Sequence, residues 1–172
     1  MNDRTQDYLD REEIRDLSRR YMRGLDRLDI ELLASVFADD ATVDYGFFQG
    51  TAVDFVDFAR GALTPHLANH HLIGQMLIRV NGDTAVGEIY FQAFHRIVED
   101  GAEKDLFISG RYLDRYSRRD DRWRIQFRSE VNDWARTEPA ADEALKNNPA
   151  AIIGARAPED YSMDFYGPGE PQ

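Results

Sequence analysis

HLIGQMLIRVNGDTAVGEIYFQAFHRIVEDGAEKDLFISGRYLDRYSRRDDRWRIQFRSEVNDW, residues 71–134, decides the fold. Four long runs rich in β-branched and aromatic residues occupy 71–80, 84–98, 106–119 and 122–134. Asn81-Gly82-Asp83, Glu99-Asp100-Gly101 and Asp120-Asp121 separate them, and such residues make hairpin turns. Three turns joining four runs give an antiparallel meander. Both strand faces are apolar: Ile89 and Phe91 on one, Val86, Tyr90 and Phe94 on the other. A sheet with two apolar faces needs two covers.

One cover lies upstream. Ile14, Leu17, Tyr21, Leu25 and Leu28 recur at helical spacing and predict an amphipathic helix over 10–28. Asp29 is a suitable N-cap for a second short helix over 30–37. Val43, Tyr45 and Phe47 alternate within ATVDYGFFQG (41–50), which reads as a strand. Residues 51–63 return to helical spacing, with Val53, Phe55, Val56 and Ala59 inward and Pro65 beyond the end. Helices followed by a curved antiparallel sheet make an α+β fold. It is a cone-shaped roll with N-terminal helices packed on a strongly curved, mostly antiparallel sheet that encloses a pocket. The domain is expected over 1–134. Residues 135–172 hold most of the six prolines and little periodicity. They read as a C-terminal tail, with helix-like DEALKNN, packing over the pocket or a neighbouring subunit. The uncovered sheet face is a candidate interface of a homo-oligomer.

Composition narrows the function. The 172 residues include 10 Phe, 8 Tyr and 2 Trp, enough large rings for a real core. There is no cysteine, hence no disulfide or thiolate chemistry. A net charge of −11 argues against nucleic acid as a partner. No apolar run approaches the roughly 20 residues of a membrane span. The polar start MNDRTQDYLDREE is unlike a secretory signal, so a cytoplasmic protein is expected. The charge is uneven: residues 31–70 carry six acids and one base, and residues 135–172 carry seven and three. An acidic tail over the pocket mouth would favour a neutral substrate.

The groups able to do chemistry are few. The four histidines are His66, His70, His71 and His95, and their spacing suggests no metal site. Nucleotide-binding and serine-hydrolase motifs are also missing, so no cofactor is expected. His71 begins the first long strand and shares a face with Ile73, Gln75 and Leu77, whereas His70 points the other way. Asp26 lies one helical turn after Met22, near the buried stripe. It reads either as a solvated helix acid or as a carboxylate that orients an imidazole. His95 reads as a satisfied core residue unless its face lines a cavity. Tyr45 is either core packing or a hydroxyl donor to a developing oxyanion. Tyr21, Phe48, Tyr90, Tyr112 and Trp134 are candidate aromatic substrate contacts. Arg128, also a candidate contact, alternates to the polar side of its strand with Arg124 and Gln126, where a solvated pair with Glu88 or Asp114 is expected.

Three segments together resemble one family. They are IRDLSRRYMRGLDRLDIELLASVFADDATVDYG, HHLIGQMLIRVNGDTAVGEIY and SGRYLDRYSRRDDRWRIQFRSEVNDW, within residues 10–135. They are similar to SnoaL-like proteins of the nuclear transport factor 2-like superfamily. That superfamily holds lyases, isomerases and non-enzymatic binders, so the resemblance speaks first to fold. Its scytalone dehydratases and hexachlorocyclohexane dehydrochlorinases place an Asp late in the first helix and a His early in the first long strand. Asp26 and His71 match those positions, and Tyr45 and His95 match a tyrosine and second histidine of the dehydratases. Leu25, Gly110 and Tyr112 depart from the dehydratase pattern, so its substrate does not transfer.

The resemblance implies a cofactor-independent lyase acting on a neutral apolar cyclic or aromatic molecule. It expels water or a small aldehyde, with His71, Asp26, Tyr45 and His95 catalytic. It also implies a dimer or trimer. Two alternatives remain: a non-catalytic ligand-binding module or dioxygenase small-subunit relative, and a ketosteroid-isomerase-like enzyme. The last needs a carboxylate base, which Asp44 could supply if it, not Tyr45, pointed inward.

Overall fold

The computed structural model describes residues 3–141 and 143–166. Helix α1 (Asp3–Arg27) buries Ile14, Leu17, Tyr21, Met22 and Leu25 along the stripe that the spacing predicts. It stops because Leu28 turns left-handed, with φ 51°. Asp29 N–H then donates back to Gly24 O at 3.0 Å, a Schellman-type ending. Asp29 also caps α2 (Ile30–Ser35), its carboxylate accepting from Leu32 N–H at 3.0 Å. Gly24 is required at this joint, since a Cβ there would lie 2.9 Å from Leu33 Cα and Cβ. This tight turn fixes the last turn of α1, and Asp26 with it.

Strand β1 (Phe37–Asp44) starts earlier than the alternation suggests and ends before Tyr45. After β2 (Gln49–Thr51) comes α3 (Ala52–Leu63), which buries Ala52, Phe55, Val56 and Ala59. Val53 does not point inward as expected and is 68% exposed. The helix begins one residue after its Thr51 cap, and that phase puts Ala52 on the buried side.

The meander is β3 (Ala68–Asn81), β4 (Thr84–Glu99), β5 (Ala102–Arg119) and β6 (Arg122–Pro139). Asp100-Gly101 and Asp120-Asp121 take positive φ at both turn positions, as two-residue hairpins need. The sheet order is β2-β1-β6-β5-β4-β3. β1 pairs antiparallel with β2 and parallel with β6, so the sheet is mixed. β6 runs to Pro139, past the domain boundary expected at 134. Beyond it lie α4 (Glu143–Lys146) and α5 (Tyr161–Tyr166). Asp142 of the helix-like segment and residues 167–172 of the tail lie outside the described residues.

Register irregularities bend the long strands. In β3 an extra residue falls between Ile73 and Met76, so Ile78 is buried and Leu77 faces out. Gln75 and Leu77 therefore do not share the face of His71. In β6 an extra residue falls between Ile125 and Phe127, and another between Asn132 and Trp134. The core lies between α1, α3 and the concave sheet face. The outer face exposes Leu72, Leu77, Val86 and Leu113 beside an ion-pair network of Arg111 with Glu88 and Asp133.

Candidate functional site

Asp26 and His71 meet where the end of α1 crosses the start of β3. Asp26 Oδ1 lies 2.7 Å from His71 Nδ1, and both carboxylate oxygens accept from the His71 backbone N–H at 3.1 Å. Both side chains are nearly buried. The carboxylate fixes Nδ1 as the protonated nitrogen and leaves the Nε2 lone pair free. It also faces the charge that forms if Nε2 takes a proton. His70, one residue earlier, is exposed.

His95 projects from β4 directly across from Asn69 on β3. Its ring makes edge contacts with His71 at 5.2 Å and His66 at 5.1 Å between centroids. Burial, then the positive potentials of His71, His66 and Arg156, lowers its pKa to about 3. His95 is therefore neutral near neutral pH. It can polarise an oxygen but cannot protonate one as an imidazolium. Burial lowers His66 as well.

A tyrosine cluster lies on the same concavity. The Tyr21 and Tyr45 hydroxyls are 2.5 Å apart. Burial raises Tyr21, Tyr45 and Tyr112 above the usual phenol range, so all three stay protonated. Tyr45 thus faces inward, whereas Asp44 accepts from Gly46 N–H and the Gln49 amide in the turn. That arrangement removes Asp44 as the base an isomerase would need. Phe48 packs on Phe55 and Phe58 behind Tyr45.

Arg128 is not on the polar side. It is fully buried, with Nε and Nη2 on Asp114 at 2.8 and 2.7 Å, and its guanidinium lies over the Tyr21 and Tyr112 rings at 4.1 and 4.4 Å. The extra residue after Ile125 shifts the alternation, so 128 rather than 127 follows Trp123 and Ile125 inward. The second extra residue turns Trp134 outward; it pairs with Ser109 and is 46% exposed. Tyr90 also leaves the site, lying under Arg111 between the buried Ile89 and Phe91. Period two alone required that, since neighbours on a strand face opposite ways.

Sequence reasoning missed three residues. Glu130 follows Arg128 on the concave face and pairs in register with Tyr112. Its charge acts on Tyr21, Tyr45 and Tyr112, and it feels His71 and Arg128. Those groups come from α1, β3, β5, β6 and the turn after β1, and the concavity is where they converge. Burial raises its pKa, against a side-chain hydrogen bond from Asn132. The bulge concealed it. Asn69 lies between the His66 and His95 rings, and its position two residues before His71 was a usable signal. Arg156 reaches the Asp26 carbonyl from the tail, where no periodicity marks it. Among the described residues no group of three or more His, Asp or Glu is placed to hold a metal ion.

A helix-roofed α+β cone with an Asp–His pair on its concave face defines a recognisable class. The chain belongs to the SnoaL-like domain family, whose profile matches residues 6–129, within the nuclear transport factor 2-like superfamily. An uncharacterized protein of Mycobacterium tuberculosis is 30% identical over 126 residues, covering 71% of this chain and 84% of its own. A hexachlorocyclohexane dehydrochlorinase of Novosphingobium barchaimii superposes with TM-score 0.67 at 22% identity, covering 78% of this chain and 92% of its own. A scytalone dehydratase candidate of Novosphingobium aromaticivorans gives 0.69 at 21%, with 78% and 91% covered. At these identities the two structures speak to fold. No helix among the described residues is long and apolar enough to cross a membrane.

Proposed function

We propose that the protein is a cofactor-independent lyase that removes a carbon-bound proton and expels water or another small leaving group. The observation that carries this is the Asp26–His71 pair, with Nδ1 held at 2.7 Å and Nε2 left free. Three neighbours support it: a neutral second imidazole, buried phenols and rings lining the concavity. His71 Nε2 takes the proton, and Asp26 stabilises the imidazolium. The electrons of the C–H bond form the new double bond as the carbon–oxygen bond breaks. His95 and Tyr45 donate hydrogen bonds to the departing oxygen. The proton on His71 then leaves with that oxygen as water and restores the base.

The aromatic lining suits a neutral cyclic or aryl alcohol. Screening such alcohols for alkene formation, with His71→Ala and Asp26→Asn beside the wild type, tests the reading. Loss of a proton-transfer group should lower the rate about 10²–10⁴-fold. Full rate in both variants would overturn it. A homo-oligomer closing over Leu72, Leu77 and Leu113 belongs to the same proposal. Light scattering that gives the 19.8 kDa monomer would remove that part.

A further inference from the structure

The histidine His95 could present either ring nitrogen as its donor. Its neighbours decide which. Asn69 faces His95 Nδ1 at 2.8 Å and His66 Nδ1 at 3.0 Å. On its other side stands Arg156, with Nη1 and Nη2 3.0 and 2.9 Å from the Asn69 amide. A guanidinium only donates. The amide atom facing Arg156 must therefore be the oxygen, and the atom facing the imidazoles must be the nitrogen. An amide nitrogen only donates, so the Nδ1 atoms it meets must be acceptors. The Ala68 carbonyl, 2.9 Å from the same nitrogen, is a third acceptor for two hydrogens, so one bond is shared. His66 is the half-exposed partner, and His95 the buried one.

We propose that Arg156 is a positioning residue: through the Asn69 amide it holds His95 as the neutral imidazole protonated at Nε2, with His66 sharing the same donor. Arg156 is itself fixed. Its guanidinium donates to the carbonyls of Asp26, Leu63 and His66. The segment around it is tied to α1 by Arg27 Nη1 on Ala155 O at 3.1 Å and Ala157 N–H on Arg27 O at 2.7 Å. One residue of the tail thus contacts the backbone of Asp26 and, at one remove, sets the tautomer of His95.

This inference deepens the lyase reading and rests on it for its consequence. His71 offers a lone pair at Nε2, whereas His95, 5.2 Å away ring to ring, offers a proton there. Base and donor are then distinct atoms with distinct jobs. The substrate would be an oxygenated one, a carbinol or carbonyl compound, whose oxygen can accept from His95.

Nitrogen-15 NMR of the histidine side chains reads the tautomer directly and needs no substrate. Between pH 6 and 8 the wild type should show His95 with a protonated Nε2 and a bare Nδ1. Arg156→Met frees the amide to turn, and His95 should become a mixture of tautomers. Arg156→Lys keeps a donor toward the amide oxygen and should restore the single form. Asn69→Asp replaces the donor by an acceptor and should move the proton to Nδ1. A wild-type His95 protonated at Nδ1 would overturn the proposal, and so would a single unchanged form in either Arg156→Met or Asn69→Asp. Far-UV circular dichroism checks that each variant is folded. If His71→Ala leaves elimination intact while the tautomer behaves as described, the lyase reading fails and the role of Arg156 stands.

Discussion

Arg128 and Asp114 form an ion pair with neither side chain exposed to solvent. Such a pair adds little against an apolar substitute, but breaking it strands a charge. Asp114→Asn should cost about 3–5 kcal/mol, read by urea denaturation. The double variant Arg128→Met, Asp114→Leu should recover most of that loss. Glu130 makes a second prediction. Its pKa is raised by burial, so the fold favours its protonated form. That stabilisation is present below the ordinary carboxyl range and is lost as pH rises through the raised value. Glu130→Gln should therefore melt higher than wild type at pH 7, and the gap should close below pH 4. An unchanged melting difference across that range would contradict the placement of Glu130. At this scale, Asp26 could be placed near the buried stripe of α1 and His71 at the start of β3 from periodicity, but their pairing was legible only through the family resemblance, because they lie 45 residues apart. Arg128 and Glu130 could not be placed from periodicity, because each follows an extra residue that reverses a count of two, whereas at Trp134 the second extra residue restores the count and leaves it on the outer side with Arg124.

The joint between α1 and α2 sets where Asp26 can reach. Gly24→Ala would push a Cβ to within 2.9 Å of the Leu33 backbone, with no flexible chain end to yield. Overpacking of this kind costs about 1–3 kcal/mol. The helices must part, and the Asp26–His71 contact should lengthen with them. The expected result is a lower melting temperature together with loss of the downfield Nδ1 proton resonance of His71. A variant that melts early but keeps that resonance would separate packing from the site. The meander itself could be read from the chain because its turns announce themselves: Gly101 and Asp100 supply the positive φ that two-residue hairpins require. The parallel pairing of β1 with β6 could not, since it joins residues 85 to 88 positions apart and no local pattern encodes it. The bulges have the same character. They show in cross-strand register and leave no mark on a strand read alone.

Over the whole molecule, the buried imidazoles make folding sensitive to acid. His95 has its pKa lowered to about 3, by burial first and then by His71, His66 and Arg156, and His66 is lowered too. In the unfolded chain both titrate near 6.5. As pH falls below that value the unfolded chain takes up protons that the folded chain refuses, so stability is full above about 6.5 and is lost on acidification. Each refused proton costs at most about 1.4 kcal/mol per pH unit. From pH 6.5 to 4.5 His95 alone should cost about 2–3 kcal/mol. The net charge of −11 works in the opposite sense, because protonating surface carboxylates relieves their repulsion. The comparison must therefore be between variants under one set of conditions. His95→Gln keeps a polar group beside Asn69 and removes the titration. Its urea midpoint should fall less steeply than that of the wild type between pH 7 and 4.5. Parallel curves would mean that His95 charges readily in the folded state, and the neutral donor assigned to it would be lost.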